Sequence, residues 1–300
     1  MINKYTLGKG QFLLAKILKK TPIPHIVKEK YNCYRHKKIE KFLLPYLQEA
    51  QKRVSTQELS SNDGPIWILW WQGIDQMPLL VRNCIQSVKN NCGSRKVILI
   101  TKKNLDQYFT PSERIKQLKK VNKIPMAHFS DVIRFNLLKE YGGLWLDATI
   151  FVTHKLSSDY FSQFFTCSGY PDEDYFFVTE GNWCSFLMGG SPNHPVFQFM
   201  SAFYDLYWKD NDELIDYFII DYALKYAWKN NLGDFKVFTH NNFKKYNPCL
   251  FNLMPLLNRP FNKRTWEKIS KNTDLYKLTY KVKLSQKRNT YYNKIINSED

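Results

Sequence analysis

No run among the 300 residues approaches the roughly 20 apolar positions that a membrane-crossing helix needs. The first 20 residues also lack an apolar core of signal-peptide length, because Lys9 and Lys16 bracket only a short run around Phe12, Leu13 and Leu14. A cytoplasmic protein is expected from this, free to touch the inner face of the cell membrane peripherally. The six cysteines (Cys33, Cys84, Cys92, Cys167, Cys184, Cys249) contain no CxxC pair, and no histidine stands at zinc-ligand spacing from them. That pattern fits buried thiols in a reducing compartment. His128, His154, His194 and His240 show neither metal nor triad spacing and are given no role. Internal repeats and low-complexity tracts are absent as well.

What is present is aromatic and basic. Aromatic residues make up 16% of the chain, far more than a solvated disordered polymer carries, so the chain is folded and long enough to bury a substantial core. The formal charge of +17 is unevenly placed. Lys and Arg exceed Asp and Glu by nine in residues 1–60 and by six in 261–300, but by only two in residues 61–260. A basic excess confined to the ends reads as a surface seeking an anionic partner, mounted on a separate active body. Residues 11–20, QFLLAKILKK, put Leu14, Ile17 and Leu18 on one helical side and Lys16, Lys19 and Lys20 largely on the other. Such a short amphipathic helix either packs on its own domain or docks on anionic headgroups. Residues 1–60 are therefore expected to form a basic helical N-terminal region.

At Gly64-Pro65 the composition changes. IWILWWQG (66–73) is a short apolar run bounded by turn residues, a buried strand; a helical pattern follows Pro78, and KVILIT (96–101) is a second buried strand. Strand, helix and strand at this spacing make a parallel βαβ unit, and ligands of such sheets sit beyond the carboxyl ends of the strands. That directs attention to Trp70, Trp71, Gln72 and Gly73 after the first strand, and to Thr101 and Asn104 after the second. After Pro125 a stripe of Met126, Phe129, Ile133, Leu137 and Tyr141 predicts a helix ending at Gly142-Gly143, and LWLD (144–147) a third strand. Helices are also expected over 197–208 and 213–228.

Asp131 and Arg134, three apart on the predicted helix, can present an acceptor and a forked donor to one ligand. An arbitrary pair of this kind is more often a surface ion pair worth under about 1 kcal/mol. Here the helix feeds a strand that delivers Asp147 to the sheet end where Trp70–Gly73 emerge. A carboxylate there can hold a divalent cation or ribose hydroxyls beside a nucleotide diphosphate, with Mg2+ or Mn2+ suiting an all-oxygen site.

SDxxR followed by LxxYGGxWxDxT, spanning Ser130–Thr149, resembles the DxD-containing sugar-binding region of glycosyltransferase family 32, most closely its bacterial capsular polysaccharide synthesis branch. The resemblance covers residues 64–155 well and 176–281 loosely, through DYFIIDY (216–222) and YKLTYK (276–281). It implies an α/β fold of GT-A type, a mixed nucleotide-sugar-binding sheet flanked by helices, over 61–300. It also implies a retaining hexosyltransferase that uses a nucleoside diphosphate sugar, expected to be UDP-linked, and a lipid-linked saccharide acceptor. Asp131 and Arg134 would hold sugar hydroxyls, Asp147 would lie near ribose and metal, and Trp70 or Trp71 would stack on the nucleobase. Thr149 stands where the second aspartate of the motif, the usual direct metal ligand, would be. The cation, Mn2+ or Mg2+ at Asp147 and Thr149, is thus joined by an alternative in which Lys277 and Lys281 offset the diphosphate charge. Asp221 is a further candidate to face the reacting sugar carbon, and Asn182 to bind sugar hydroxyls. Sugar-phosphate or nucleotidyl transfer is the second enzymatic reading, although it normally wants two close metal carboxylates. A non-enzymatic polyanion-binding module explains the charge but not the neutral middle, so no nucleic-acid partner is expected.

Overall fold

The computed structural model describes residues 4–55 and 58–297; residues 1–3, 56 and 57 of the expected N-terminal region, and 298–300, lie outside the described residues. In chain order the elements are helices α1 (Lys4–Lys20) and α2 (His25–Lys52), strand β1 (Ile66–Leu69), α3 (Leu79–Asn91), β2 (Val97–Ile100), α4 (Glu113–Lys120), α5 (Met126–Tyr141), β3 (Gly143–Leu146) and β4 (Ile150–Val152). There follow β5 (Phe164–Thr166), β6 (Leu187–Gly190), α6 (Pro195–Asp210), α7 (Ile219–Lys229), α8 (Phe235–Asn241), α9 (Lys263–Ser270) and β7 (Leu275–Lys277).

Five strands form one mixed sheet in the order β2-β1-β3-β6-β5. β1 runs parallel to both β2 and β3, while β6 is antiparallel to β3 and β5. Both faces are covered, which is why the strands read as continuous apolar runs. Trp67, Ile98, Ile100 and Trp145 point into a large core shared with α2, α5, α6 and α7. Ile66, Ile68, Leu144 and Leu146 point the other way, against Val81, Ile85 and Val88 of α3. The mixed α/β sheet flanked by helices is the architecture expected from the sequence and is consistent with a GT-A-type fold.

The hinge between α5 and β3 positions everything that follows. Gly142 (φ 63°) and Gly143 (φ 98°) turn the chain from helix to strand with no loop, and Trp67 Nε1 donates to the Gly142 carbonyl at 2.9 Å. A Cβ on Gly143 would stand 2.1 Å from the Pro65 carbonyl oxygen, so the close approach of β1 and β3 requires glycine there. A two-stranded antiparallel ribbon of β4 and β7 lies beyond the sheet, with Lys277 opposite Ile150.

Two expectations shift. The helix expected over 213–228 begins only at Ile219, because Asp216 turns its carboxylate into a buried ion pair with Arg35 of α2 at 3.1 Å and accepts from the Phe218 backbone N–H at 2.8 Å. On α1, Phe12 and Ala15 face inward, whereas Leu13, Leu14 and Ile17 are exposed. The apolar side drawn through Leu14 and Ile17 is therefore not the side that packs.

Candidate active site

α5 is buried around most of its circumference, between the sheet and α6, so Asp131 and Arg134 are 7% and 5% exposed rather than a solvated pair. His128, Asp131 and Arg134, three residues apart, line one side of the helix and a cavity of about 330 Å3. The cavity is further lined by Asp147 just past β3, by Ser185 and Phe186 before β6, by Tyr217, Phe218, Ile220 and Asp221, and by Lys277 at the end of β7.

The charged groups are chained together. Arg134 Nη1 lies 3.3 Å from Asp131 Oδ1, and Nη2 lies 3.3 Å from Asp147 Oδ1. The guanidinium sits over the Trp145 ring, 4.9 Å from its centre, and Trp145 Nε1 donates to Asp147 Oδ1 at 3.0 Å. Lys277 Nζ donates to Asp147 Oδ2 at 2.6 Å. Burial works against the Asp147 carboxylate, but Lys277 and Arg134 outweigh it and hold the group below the usual carboxylate range. The other two carboxyls go the opposite way. Burial pushes Asp131 up to about 7 against the pull of Arg134, and Asp221 up to about 6 despite a hydrogen bond of 3.1 Å from Trp183 Nε1 to its Oδ1.

Several buried polar atoms here have no hydrogen-bond partner: both ring nitrogens of His128 and Nε of Arg134. His128 Nδ1 stands 3.5 Å from Asp131 Oδ2, and burial lowers the ring to about 4, so it is neutral at neutral pH with one donor and one acceptor nitrogen. Unpaired donors beside buried carboxyl acceptors suit a ligand whose groups both donate and accept, which is the property of a hydroxyl.

A divalent cation does not fit this donor set as arranged. Asp147 Oδ1 already accepts two hydrogen bonds, and a dication on Oδ2 would compete with the Lys277 ammonium. Thr149 is outside the cavity lining; its carbonyl accepts from the Leu278 N–H at 2.9 Å. Among the described residues no three His, Cys, Asp or Glu side chains gather where they could hold a metal.

Of the residues singled out in the sequence, the fold brings Asp131, Arg134, Asp147, Asp221 and Lys277 into one cavity. Trp70, Trp71 and Gln72 leave β1 at the same sheet edge where Asp147 leaves β3, but outside that cavity. Trp70 meets Tyr280 edge-on at 5.4 Å with its buried Nε1 unpartnered, Trp71 meets Phe129 edge-on at 5.5 Å, and Gln72 is exposed. Asn104 is occupied locally: its Oδ1 accepts from the Thr101 backbone N–H at 2.7 Å and its amide donates to the Leu99 carbonyl. Asn182 donates to the Thr179 carbonyl within a turn, and Lys281 is exposed. No metal or triad spacing marks His128 in the sequence, yet its three-residue separation from Asp131 is the spacing that also links Asp131 to Arg134. Trp183, Phe186 and Tyr217 carried no signal of their own.

Parallel strands that deliver a carboxylate to their carboxyl edge, beside a cavity lined by acids and cations, make this the candidate site of an α/β protein. The description "capsular polysaccharide synthesis protein" is that of the family whose model matches residues 20–295, and the chain belongs to this family. No curated protein matches it.

Proposed function

We propose that the chain is a retaining glycosyltransferase of the family 32 kind, moving a hexose from a nucleoside diphosphate sugar, UDP-linked, to a lipid-linked saccharide in surface polysaccharide synthesis. The observation that carries the reading is the cavity itself, in which Asp131, Asp221, neutral His128 and the free Nε of Arg134 offer acceptors and donors suited to sugar hydroxyls. Asp131 and Arg134 hold the hexose. The diphosphate lies toward Lys277, whose ammonium offsets charge on the leaving group in place of a metal, with Lys281 nearby in the chain. Trp70, half-buried at the strand edge with an unpartnered Nε1, receives the nucleobase. The bond from C1 to the diphosphate oxygen breaks, the acceptor hydroxyl oxygen bonds C1 on the same face, and its proton leaves with the diphosphate.

The test is hydrolysis and transfer with a panel of nucleotide sugars, run with Mn2+ and with EDTA. One donor is expected to turn over, in EDTA as well as in Mn2+. Asp147→Asn and Arg134→Ala should each lower the rate by roughly 10- to 100-fold while the protein stays folded, since each removes charged hydrogen bonds of about 1.5 to 3 kcal/mol. Full transfer by either variant would sink the assignment, and complete loss of activity in EDTA would sink the role given to Lys277.

A further inference from the structure

A second chamber, about 770 Å3, adjoins the charged cavity and shares with it a wall of Ser185, Phe186, Tyr217, Phe218 and Asp221. We propose that this chamber is the acceptor site, taking the terminal sugar rings of a saccharide so that the hydroxyl to be glycosylated meets the donor sugar beside Asp221. The inference rests on the transferase reading above and adds to it where the acceptor binds and what part of it is recognised.

The lining combines what a sugar ring requires. Tyr170, Phe186 and Phe251 form a connected aromatic wall, with Phe251 edge-on to Tyr170 at 5.0 Å and to Phe186 at 6.0 Å. The C–H face of a pyranose packs on such rings, while Asp172, Thr179, Lys244 and Asn252 stand around them as donors and acceptors for its hydroxyls. An acid and a lysine in the lining favour a ligand with hydroxyls over a bare hydrocarbon chain. The size is within the range of small-ligand sites and exceeds the neighbouring cavity, as expected of more than one ring. Two glycines of the lining bring their segments close together: Gly169 N–H donates to the Gly181 carbonyl at 2.7 Å, and a Cβ on Gly181 would stand 1.8 Å from the Tyr170 carbonyl oxygen.

Asp221 is the link between the two spaces. Its Oδ1 accepts from Trp183 Nε1, which leaves Oδ2 for a ligand hydroxyl, and it lines both linings at the first turn of α7. Arg35 and Asp216 fix the turn that precedes it. At the rim, Phe177 lies under Lys19 of α1, 4.2 Å from the ring centre, and Tyr217 stacks on Phe12 of α1 at 5.2 Å. Two exposed residues of the lining therefore lie against the N-terminal helix.

Two exposed lining positions allow a test without disturbing the core: Phe251→Ala removes the aromatic platform and Asn252→Trp fills the opening. Saturation-transfer NMR with a panel of octyl glycosides, below their micellar concentrations, reads acceptor binding directly. The ratio of transfer onto the same glycosides to donor hydrolysis reads it in turnover. Binding by the wild-type protein is expected, weakened at least about tenfold in both variants, with the transfer-to-hydrolysis ratio falling by a similar factor. The proposal is overturned if no octyl glycoside binds, or if both variants bind as the wild type does. Absence of donor hydrolysis with every nucleotide sugar would instead strike the transferase reading, while the NMR result would still decide whether the chamber holds a saccharide.

Discussion

Burial raises the Asp131 carboxyl to about 7 from an ordinary value near 3.8, and the consequence for stability has a definite sign. A carboxyl whose pKa is higher in the folded than in the unfolded protein favours folding most when protonated in both states. Its contribution is present below about 3.8 and is lost as pH rises through about 7. Asp131→Asn lacks this term. The difference in thermal midpoint, variant minus wild type, should therefore grow in the variant's favour as pH rises across that window. Comparing the two proteins removes the contributions of the buried histidines His36 and His194, which do not touch Asp131 and whose lowered values act in the opposite direction in both. Parallel midpoint curves would mean that Arg134, 3.3 Å away, already compensates the ionised carboxylate fully. The residue is thus held in a costly state at the place where a ligand hydroxyl would relieve it, which is how perturbed carboxyls mark functional cavities.

At the scale of elements, the passage from α5 into β3 aims Arg134 and Asp147 at each other, and it depends on two glycines. Gly143→Ala should destabilise the protein by at least about 2 kcal/mol in urea unfolding, from a positive φ and from a Cβ driven against the Pro65 carbonyl. Gly10→Ala supplies the contrast, because Gly10 is an exposed interior position of α1 with nothing within 4 Å, and there the change should stabilise by about 0.5 to 1 kcal/mol. Equal midpoints for the two variants would contradict the hinge argument. This hinge, the βαβ unit and the pair Asp131–Arg134 were legible in the sequence because each is a local pattern: an apolar run between turn residues, a helical stripe stopped by Gly-Gly, a three-residue spacing. The site's remaining members were harder to read in proportion to their distance along the chain. Lys277 meets Asp147 only because β7 pairs with β4, a pairing of short strands with no periodic signature. Asp221 was expected in mid-helix, but Asp216 delays the start of α7 and puts it in the first turn. The second chamber was not legible at all, since it is built largely from irregular segments between residues 169 and 186 and beyond 244.

For the whole molecule, the basic excess at the ends becomes a physical argument only when joined to what α1 exposes. Among the described residues no helix is long and apolar enough to cross a membrane. Leu13 and Ile17, one turn apart on α1, are 60% and 52% exposed, with Lys9, Lys16 and Lys20 also on the surface of the same helix. Apolar side chains flanked by lysines on one exposed helix face are the composition that lies in an anionic lipid interface, where buried apolar area and charge attraction add. Removing α1 altogether would be a poor test, because Tyr5, Phe12 and Ala15 belong to the main core and Phe12 stacks on Tyr217 at the cavity. The double variant Leu13→Ser, Ile17→Ser changes only the exposed face, so its urea midpoint should stay within about 0.5 kcal/mol of wild type. Its co-sedimentation with vesicles containing phosphatidylglycerol should fall about tenfold or more, given roughly 1.5 to 3 kcal/mol for each side chain that inserts fully. Raising the salt concentration should weaken what remains, since the lysines act over a Debye length of about 8 Å at physiological ionic strength. If the double variant sediments as the wild type does, the apolar face is not what meets the lipid, and attraction by the lysines alone has to account for any binding. If it loses sedimentation while still glycosylating a soluble acceptor, α1 acts to hold the protein at the surface where a lipid-borne acceptor resides, and the chemistry belongs to the charged cavity.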